Sequence, residues 1–273
     1  MRNIILSLLI FCSTVFAVSE KPIVVLITSY NNSEWYDWNL SSVFVQTYTN
    51  YRIIYIDDCS TDDTYQLVLE KIKKSTYAQN HTQLIRNTER KGVLANIYAA
   101  THTCADEEII VILDGDDAFA HPEVLTRINK AYQNDTVWMT YGQYKESKTQ
   151  KIGKCAPIPI TFVQRNAYRD YPWVTSHVRT FYAWLFKHVD KESLMLNDTF
   201  FPVATDLAAM FPMLEMAGGR FEFINEVLYV YNTTNRLNNF KLRRKQQIEC
   251  ERIIRHLPRY QPLLPIINTK NEN

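Results

Sequence analysis

Acidic side chains follow two of the apolar runs in the N-terminal half of the chain. Asp57 and Asp58 come directly after the run Tyr51 to Ile56. A second group follows the run Glu108 to Leu113 and packs three acids into four residues: Asp114, Asp116 and Asp117. Crowded carboxylates repel one another unless a cation neutralises them, and Mg²⁺ and Mn²⁺ prefer oxygen ligands. The pattern predicts a Mn²⁺ or Mg²⁺ site that binds the diphosphate of a nucleotide compound.

A structural interpretation of the first pair, Asp57 and Asp58, stays open, because Asp is favoured in turns between strands and helices.

The sequence motifs of several other nucleotide-binding and catalytic sites are absent. The six glycines form neither GxG nor GxxxxG, which excludes the dinucleotide fingerprint and the Walker-type phosphate loop. HExxH, GxSxG and CxxC are absent as well. Any bound nucleotide would therefore be held by carboxylates and a metal.

The composition is that of an ordinary folded protein. The chain has 273 residues, of which 46% are hydrophobic and 22% charged, which argues against disorder and against a polytopic membrane protein. Lys and Arg total 30 against 29 Asp and Glu, so the net charge is +1. Nothing in this balance predicts nucleic acid as a partner.

The elements that would position the acids alternate between strand and helix from Lys21 to about Gln133. Four β-rich runs are predicted to be strands: Ile23 to Thr28, Tyr51 to Ile56, Gln83 to Ile85 and Glu108 to Leu113. A capping box at Ser60 to Asp63 and a first-turn proline at Pro122 predict the starts of two helices. The alternation indicates an α/β fold, with a mostly parallel sheet flanked by helices. Ligands bind at the carboxyl ends of such strands, where the acids lie.

The second half of the chain is less regular. Residues Thr136 to Thr175 are predicted to form one antiparallel edge strand and a long surface excursion. The elements predicted beyond this region are two amphipathic helices (Arg179 to Val189 and Asp206 to Ala217), two strands (Arg220 to Ile224 and Val227 to Tyr231) and a basic helix (Asn238 to Leu257).

Three segments, VVLITSYNNSEW, IIYIDDCSTDDT and VILDGDD, occur in an order and spacing that resembles glycosyltransferase family 2 of the GT-A fold. The resemblance is strong from Ile23 to Asp117 and loose elsewhere. It implies a GT-A fold and a metal-dependent, inverting transfer of a sugar from a nucleotide-sugar donor, UDP-linked, to an acceptor hydroxyl. The acceptor would be a glycan, a glycoprotein or a lipid-linked sugar.

The resemblance also implies roles for single residues at the donor site. Thr28 and Tyr30 would line the uracil and ribose pocket, Asp58 would accept the imide proton of the base, and Lys91 would approach the nucleotide. The acidic group would contribute Asp114 on the ribose and donor-sugar side, with Asp116 and Asp117 as metal ligands.

Asp206 is the candidate catalytic base. It follows Asp116 by 90 residues and precedes an apolar helical period, as does the base of inverting relatives. A helix-capping role for the same aspartate stays open. One departure from the family is that no histidine lies between His188 and His256 to complete the metal shell. Three alternatives stay open: water completes the shell, Arg236 or Lys241 meets the diphosphate as a cation, or activity is reduced.

Trp173 belongs to an aromatic and basic cluster, 173–184, in which an acceptor sugar could stack, although such residues also form cores. The basic C-terminal helix is either a solvated face or a peripheral membrane contact. Two rival functions stay open: a catalytically weak or inactive GT-A module that binds glycans, and a nucleotidyltransferase.

The N-terminus has the pattern of a secretory signal. Residues 1–17 are predicted to be cleaved before Val18 or kept as a short anchor, which places the protein in the ER or Golgi lumen or outside the cell. Residues 18–135 would form the nucleotide-sugar-binding half and 136–237 the acceptor-binding half of one domain, with a basic helix and tail at 238–273. Four cysteines would remain, a number compatible with disulfides: Cys59, Cys104, Cys155 and Cys250.

Overall fold

The structure, a computed structural model, describes residues 19–236 and 243–264. Its strands are β1 (Ile23–Ser29), β2 (Tyr51–Asp57), β3 (Thr82–Arg86), β4 (Ile109–Asp114), β5 (Ala118–Phe119), β6 (Met139–Glu146), β7 (Arg179–Tyr182), β8 (Met195–Leu196), β9 (Thr199–Phe200) and β10 (Phe221–Tyr231). Its α-helices are α1 (Tyr36–Phe44), α2 (Thr64–Lys73), α3 (Thr76–His81), α4 (Val93–Thr103), α5 (Val124–Ala131), α6 (Ile160–Gln164), α7 (Ala183–Lys187), α8 (Thr205–Ala217) and α9 (Arg244–His256). The predicted signal segment, Lys241 and the last nine residues lie outside the described residues.

Eight strands form one sheet in the order β3-β2-β1-β4-β7-β6-β10-β5. The first four are parallel, and β1 pairs with β2 and β4 so that Thr28 lies beside both Ile56 and Asp114. The four strands predicted from the apolar runs are confirmed. Strand β7 is antiparallel to β4 and β6, whereas β6 and β10 are parallel to each other. The acids at the ends of β2 and β4 therefore lie at one edge of the sheet.

The apolar runs form strands because the sheet is covered on both faces. Every residue of β1 is buried. Alternate side chains enter different cores: Val24 and Leu26 pack in one, and Val25 and Ile27 pack in the other. This double burial holds the carboxyl ends of the central strands in fixed positions.

Helix α8 is buried along its length from Leu207 to Ala217, so the predicted amphipathic pattern is wrong for this helix. It lies between the sheet and the C-terminal segment. Glu215 of α8 forms a buried ion pair with Arg169, and Arg169 also donates to the backbone oxygens of Ile254 and Leu257. This contact fastens α9 to the rest of the molecule.

Several elements of the second half differ from the sequence prediction. Arg179–Tyr182 is a strand rather than the start of a helix, because Thr180 and Phe181 pair with both neighbouring strands. Strand β6 is internal, between β7 and β10, rather than at an edge. The two strands predicted at 220–231 are one strand with register shifts.

The start of α2 differs from the sequence prediction. The predicted capping box at the start of α2 is replaced by Asp62, whose carboxylate accepts from the backbone N–H and hydroxyl of Thr64.

The four cysteines predicted to be compatible with disulfides are free thiols in the described part of the chain. Among the described residues, no helix is both long and apolar enough to cross a membrane. The boundaries proposed at 135 and 237 stay predictions.

Candidate active site

A cavity of about 330 Å³ opens at the carboxyl edge of the central strands. Its walls come from the ends of β1 and β4, from the segment around β7, from the start of α8, and from the residues on either side of the undescribed segment 237–242. Its polar lining residues include Thr28, Tyr30, Asn32, Arg90, Asp114, Asp116, Asp117, His177, Arg179, Thr205, Asp206, Tyr231, Asn235, Arg243 and Gln247. Acids from two distant parts of the sequence therefore face one space.

The turn after β4 is held against β1. The backbone N–H of Gly115 donates to the Thr28 carbonyl at 3.0 Å. A side chain at position 115 would place its Cβ 2.7 Å from Ser29, which requires the turn or the strand to shift. Glycine therefore permits the close approach that sets Asp114 and Asp116 at the cavity wall.

Asp117 is the most buried acid of this turn, with 1% of its surface exposed. Its carboxylate accepts from the backbone N–H of Asn232 at 2.6 Å and from the Tyr229 hydroxyl at 2.7 Å. Asp116 accepts from the Asn235 side-chain amide at 2.7 Å. The loop after β10 is thus bonded to the acidic turn.

Burial and mutual repulsion raise the proton affinity of these acids. Burial, with the nearby charge of Asp114, raises the pKa of Asp116 to about 6. Burial and the charges of Asp116 and Asp114 raise the pKa of Asp117 well above its ordinary value. A bound cation would reverse this effect, because it favours the ionised carboxylates.

Asp114, Asp117 and His177 place ligand atoms within 4.8 Å of one another, as a metal ion would require. Burial, assisted by Arg179, lowers the pKa of His177 well below its ordinary value, so its imidazole is neutral and able to ligate. The oxygen and nitrogen donors fit a divalent cation such as Mn²⁺. A histidine is therefore present, but it precedes β7 rather than following the last strands. Asp116, a predicted ligand, also lines the cavity.

Asp206 lies in the first turn of α8 and faces the cavity. The N-cap of this helix is Ala204, whereas the Asp206 carboxylate accepts from backbone N–H groups of the first turn, so the helix-capping alternative stays open beside the catalytic one. Burial raises the pKa of Asp206 above the ordinary carboxyl value, and the charge of Arg179 partly offsets that rise. The guanidinium lies 3.8 Å from the Asp206 carboxylate and 3.5 Å from that of Asp114.

Tyr30 and Thr28 line the cavity, and their contacts with a base and ribose stay a prediction. The Arg90 guanidinium lies 3.7 Å from the centroid of the Tyr30 ring. Sequence reasoning selected the neighbouring Lys91, which is exposed and does not line the cavity. Two adjacent cations are equivalent in the sequence, and only the direction of the loop distinguishes them.

Asp58 lies behind this wall rather than in it. Its carboxylate accepts from the side-chain amide of Asn87 and from the backbone N–H groups of Lys91 and Gly92, at 2.8 to 2.9 Å. Burial opposes ionisation, but hydrogen bonds of this kind hold the pKa of Asp58 below its ordinary value. Asp58 therefore positions the loop that carries Arg90, and its contact with a base stays a prediction.

Two other predicted substrate residues lie away from the cavity. Trp173 is partly buried and packs edge-on against Phe211 of α8, with ring centroids 5.3 Å apart, and it does not line the cavity. Arg236 is exposed and does not line the cavity. Its neighbour Asn235 does, and Arg243 lines it beyond the undescribed segment.

Comparison with known proteins gives both a family and a fold. The family described as Glycosyl transferase family 2 matches residues 24–194. The UDP-Glc:alpha-D-GlcNAc-diphosphoundecaprenol beta-1,3-glucosyltransferase WfgD of Escherichia coli is 26% identical over 178 residues, which cover 59% of this chain and 67% of that protein.

Solved structures match at lower identity. The structure of S. aureus TarS 1-349 in complex with UDP-GlcNAc has a TM-score of 0.60 at 14% identity, covering 78% of this chain and 59% of that one. The mannosyltransferase PcManGT from Pyrobaculum calidifontis, in complex with GDP-Man and Mn²⁺, has a TM-score of 0.59 at 18% identity, covering 89% and 66%. This chain thus spans about two thirds or less of these proteins. The predicted GT-A fold is confirmed.

Proposed function

Because the chain belongs to glycosyltransferase family 2, we propose that it transfers a sugar from a UDP-linked donor to an acceptor hydroxyl with inversion of configuration. The observation that carries the proposal is the convergence of Asp114, Asp116 and Asp206 on one cavity. The first two lie at the end of β4 and the third at the start of α8, so the cavity has carboxylates on two sides. This arrangement suits a donor on one side and an acceptor on the other.

Asp206 would act as the general base. Its carboxylate would take the proton of the acceptor hydroxyl as that oxygen bonds to the anomeric carbon, and UDP would leave from the opposite face of the sugar. Burial raises the proton affinity of Asp206, which favours this step, while the charge of Arg179 partly offsets that rise.

The acidic turn would hold Mn²⁺ or Mg²⁺. Asp116 and Asp117 are the predicted ligands, and the distances among Asp114, Asp117 and His177 support a metal at this place. When bound, the ion would supply positive charge to the diphosphate. The protein residues around it keep the acids together: Asn235 and Tyr229 donate to their carboxylates.

The donor would be a UDP-sugar rather than a purine nucleotide sugar. Thr28 and Tyr30 line the cavity and would contact the ribose and base. Asp58, whose carboxylate holds the loop behind that wall, remains the predicted acceptor of the imide proton that uracil carries. The named activity of WfgD uses UDP-Glc, which is consistent with this choice.

A lipid-linked sugar is the acceptor that we favour over a free glycan or glycoprotein. The acceptor in the name of WfgD carries a diphosphoundecaprenol group. In this chain the exposed residues Arg244, Lys245 and Ile248 of α9 would lie against an anionic membrane surface, near the mouth lined by Arg243. A secretory location and the division into donor and acceptor halves remain part of the proposal.

The experiment measures release of the nucleoside diphosphate by the purified chain from a panel of UDP-, GDP- and dTDP-sugars, with Mn²⁺ and with EDTA. Metal-dependent release from a UDP-sugar supports the proposal. Binding of a UDP-sugar without any release would favour the inactive glycan-binding module. Release of pyrophosphate from UTP and a sugar phosphate would favour a nucleotidyltransferase.

A further inference from the structure

Arg179 lies inside the cavity wall, between the two groups of carboxylates. It is the first residue of β7, and 10% of its side chain is exposed. Its guanidinium is 3.5 Å from the Asp114 carboxylate, 3.8 Å from that of Asp206 and 3.4 Å from His177 Nδ1. Neither the family resemblance nor the proposed mechanism assigns Arg179 a contact with the substrate.

The hydrogen bonding of this guanidinium is incomplete. Charged N–H···O bonds are usually 2.7 to 2.9 Å long, and the contacts of Arg179 with the two carboxylates exceed that range. Its Nε is buried and has no hydrogen-bond partner among the described residues. Buried donors of this kind are costly unless a ligand completes them. The cavity into which Arg179 projects is the place from which a ligand would come.

The surrounding charges restrict the kind of ligand. One guanidinium faces two carboxylates, Asp114 and Asp206, and two further acids, Asp116 and Asp117, line the same cavity. Two other cations, Arg90 and Arg243, line the cavity, but among the described contacts only Arg179 approaches Asp114 and Asp206, so a ligand carboxylate beside Arg179 would face two carboxylates and one guanidinium. Sugar hydroxyls carry no charge and accept hydrogen bonds from N–H groups. A neutral polyhydroxyl ring therefore fits this position better than an acidic one.

We propose that Arg179 contacts the transferred sugar of the donor and selects a neutral, hydroxyl-bearing sugar over a hexuronic acid. The inference rests on the proposed function, since it takes Asp114 as the donor-sugar side and Asp206 as the acceptor side. A group that touches both carboxylates lies beside the ring that passes between them. The guanidinium donates to ring substituents through Nε and its terminal nitrogens.

The test compares the affinities of UDP, UDP-glucose, UDP-N-acetylglucosamine and UDP-glucuronic acid by titration calorimetry with Mn²⁺. The proteins are the full chain, Arg179→Met and Arg179→Lys. In the wild type, one neutral UDP-sugar should bind more tightly than UDP, and UDP-glucuronic acid should not. Arg179→Met should weaken that neutral donor roughly 10- to 100-fold, as expected for lost charged hydrogen bonds, and change UDP less than about twofold.

Arg179→Lys keeps the positive charge, so it serves as the test if Arg179→Met does not fold. It lacks the planar guanidinium with its paired donors, so it should also lose most of the preference for the neutral UDP-sugar over UDP. Arg52→Met is a matched control, because Arg52 pairs with Glu108 and does not line the cavity. It should keep the preference. An unchanged preference in both Arg179 variants, an equal loss of UDP and UDP-sugar, or tightest binding of UDP-glucuronic acid to the wild type would each overturn the inference. Failure of the wild type to bind UDP at all would overturn the proposed function first.

Discussion

At the scale of single residues, aspartates that look alike in the sequence have different surroundings and different expected roles in the structure. Asp117 is bonded on both oxygens and is almost wholly buried, whereas Asp206 retains 25% exposure of its side chain and faces the space where an acceptor would enter. Asp58 holds a loop through backbone N–H groups. Substitutions at these positions should therefore affect different steps.

Asp206→Asn should leave UDP affinity nearly unchanged and lower kcat by about 10²- to 10⁴-fold, the effect expected when a general base is lost. The amide has the shape of the carboxylate but cannot take a proton. Steady-state kinetics with calorimetry of UDP binding separates the two effects. Wild-type transfer by a folded Asp206→Asn protein would assign the base to another residue.

Asp116→Asn should abolish Mn²⁺-dependent tightening of UDP binding, because the diphosphate would lose the counter-charge that this turn holds.

The affinity of the wild-type protein for Mn²⁺ should depend on pH. With the pKa of Asp116 at about 6, a cation must displace a proton below that pH, so Mn²⁺ affinity should rise from about pH 5 to about pH 7. Tight UDP binding in EDTA would contradict a metal-bound diphosphate.

Asp58→Ala tests the base pocket. If Asp58 accepts the uracil imide proton, the variant should weaken UDP more than GDP, since guanine would not depend on the same contact. If Asp58 only orients the loop that carries Arg90, both nucleotides should weaken alike. Competition binding of UDP and GDP to wild type and variant measures the difference.

At the scale of elements, α9 is attached through a charged contact in the core. Removing one partner of a buried ion pair leaves the other unpaired, so Glu215→Ala should reduce the free energy of unfolding by about 3 to 5 kcal/mol. Arg252 pairs with Glu249 on the exposed face of α9, and Glu249→Ala is the control, with an expected loss of less than about 1 kcal/mol. Urea denaturation measures both. Equal losses would mean that the Arg169–Glu215 pair does not anchor α9.

At the scale of the whole molecule, the sequence predicts those parts that depend on local pattern. Strand β1 is a continuous apolar run because it is buried on both faces, and Asp206 follows from its place before an apolar helix. Strand β7 is missed because its pairing with β4 and β6 decides its structure. Trp173 and Lys91 lie outside the cavity for a related reason: packing against Phe211 and the direction of a loop depend on distant contacts.

The same distinction applies to the candidate metal site. The acidic turn can be predicted from the sequence because three acids occur within four residues. His177 comes close to that turn only because β7 lies beside β4, and it stacks with Tyr229 and Tyr231 at ring-centroid distances of 4.4 and 5.5 Å. A search for a histidine after the last strands could not have found it.

The most direct measurement of the central claim is product analysis of a transfer reaction. The purified chain would be incubated with Mn²⁺, α-linked UDP-glucose or UDP-N-acetylglucosamine, and a lipid diphosphate-linked sugar acceptor, followed by mass spectrometry and proton NMR of the product. The expected product is an acceptor heavier by one sugar residue, joined by a β-linkage, with one UDP released for each transfer. An α-linked product would contradict inversion by Asp206, and the absence of both transfer and UDP release from every donor in the panel would contradict the proposed transferase.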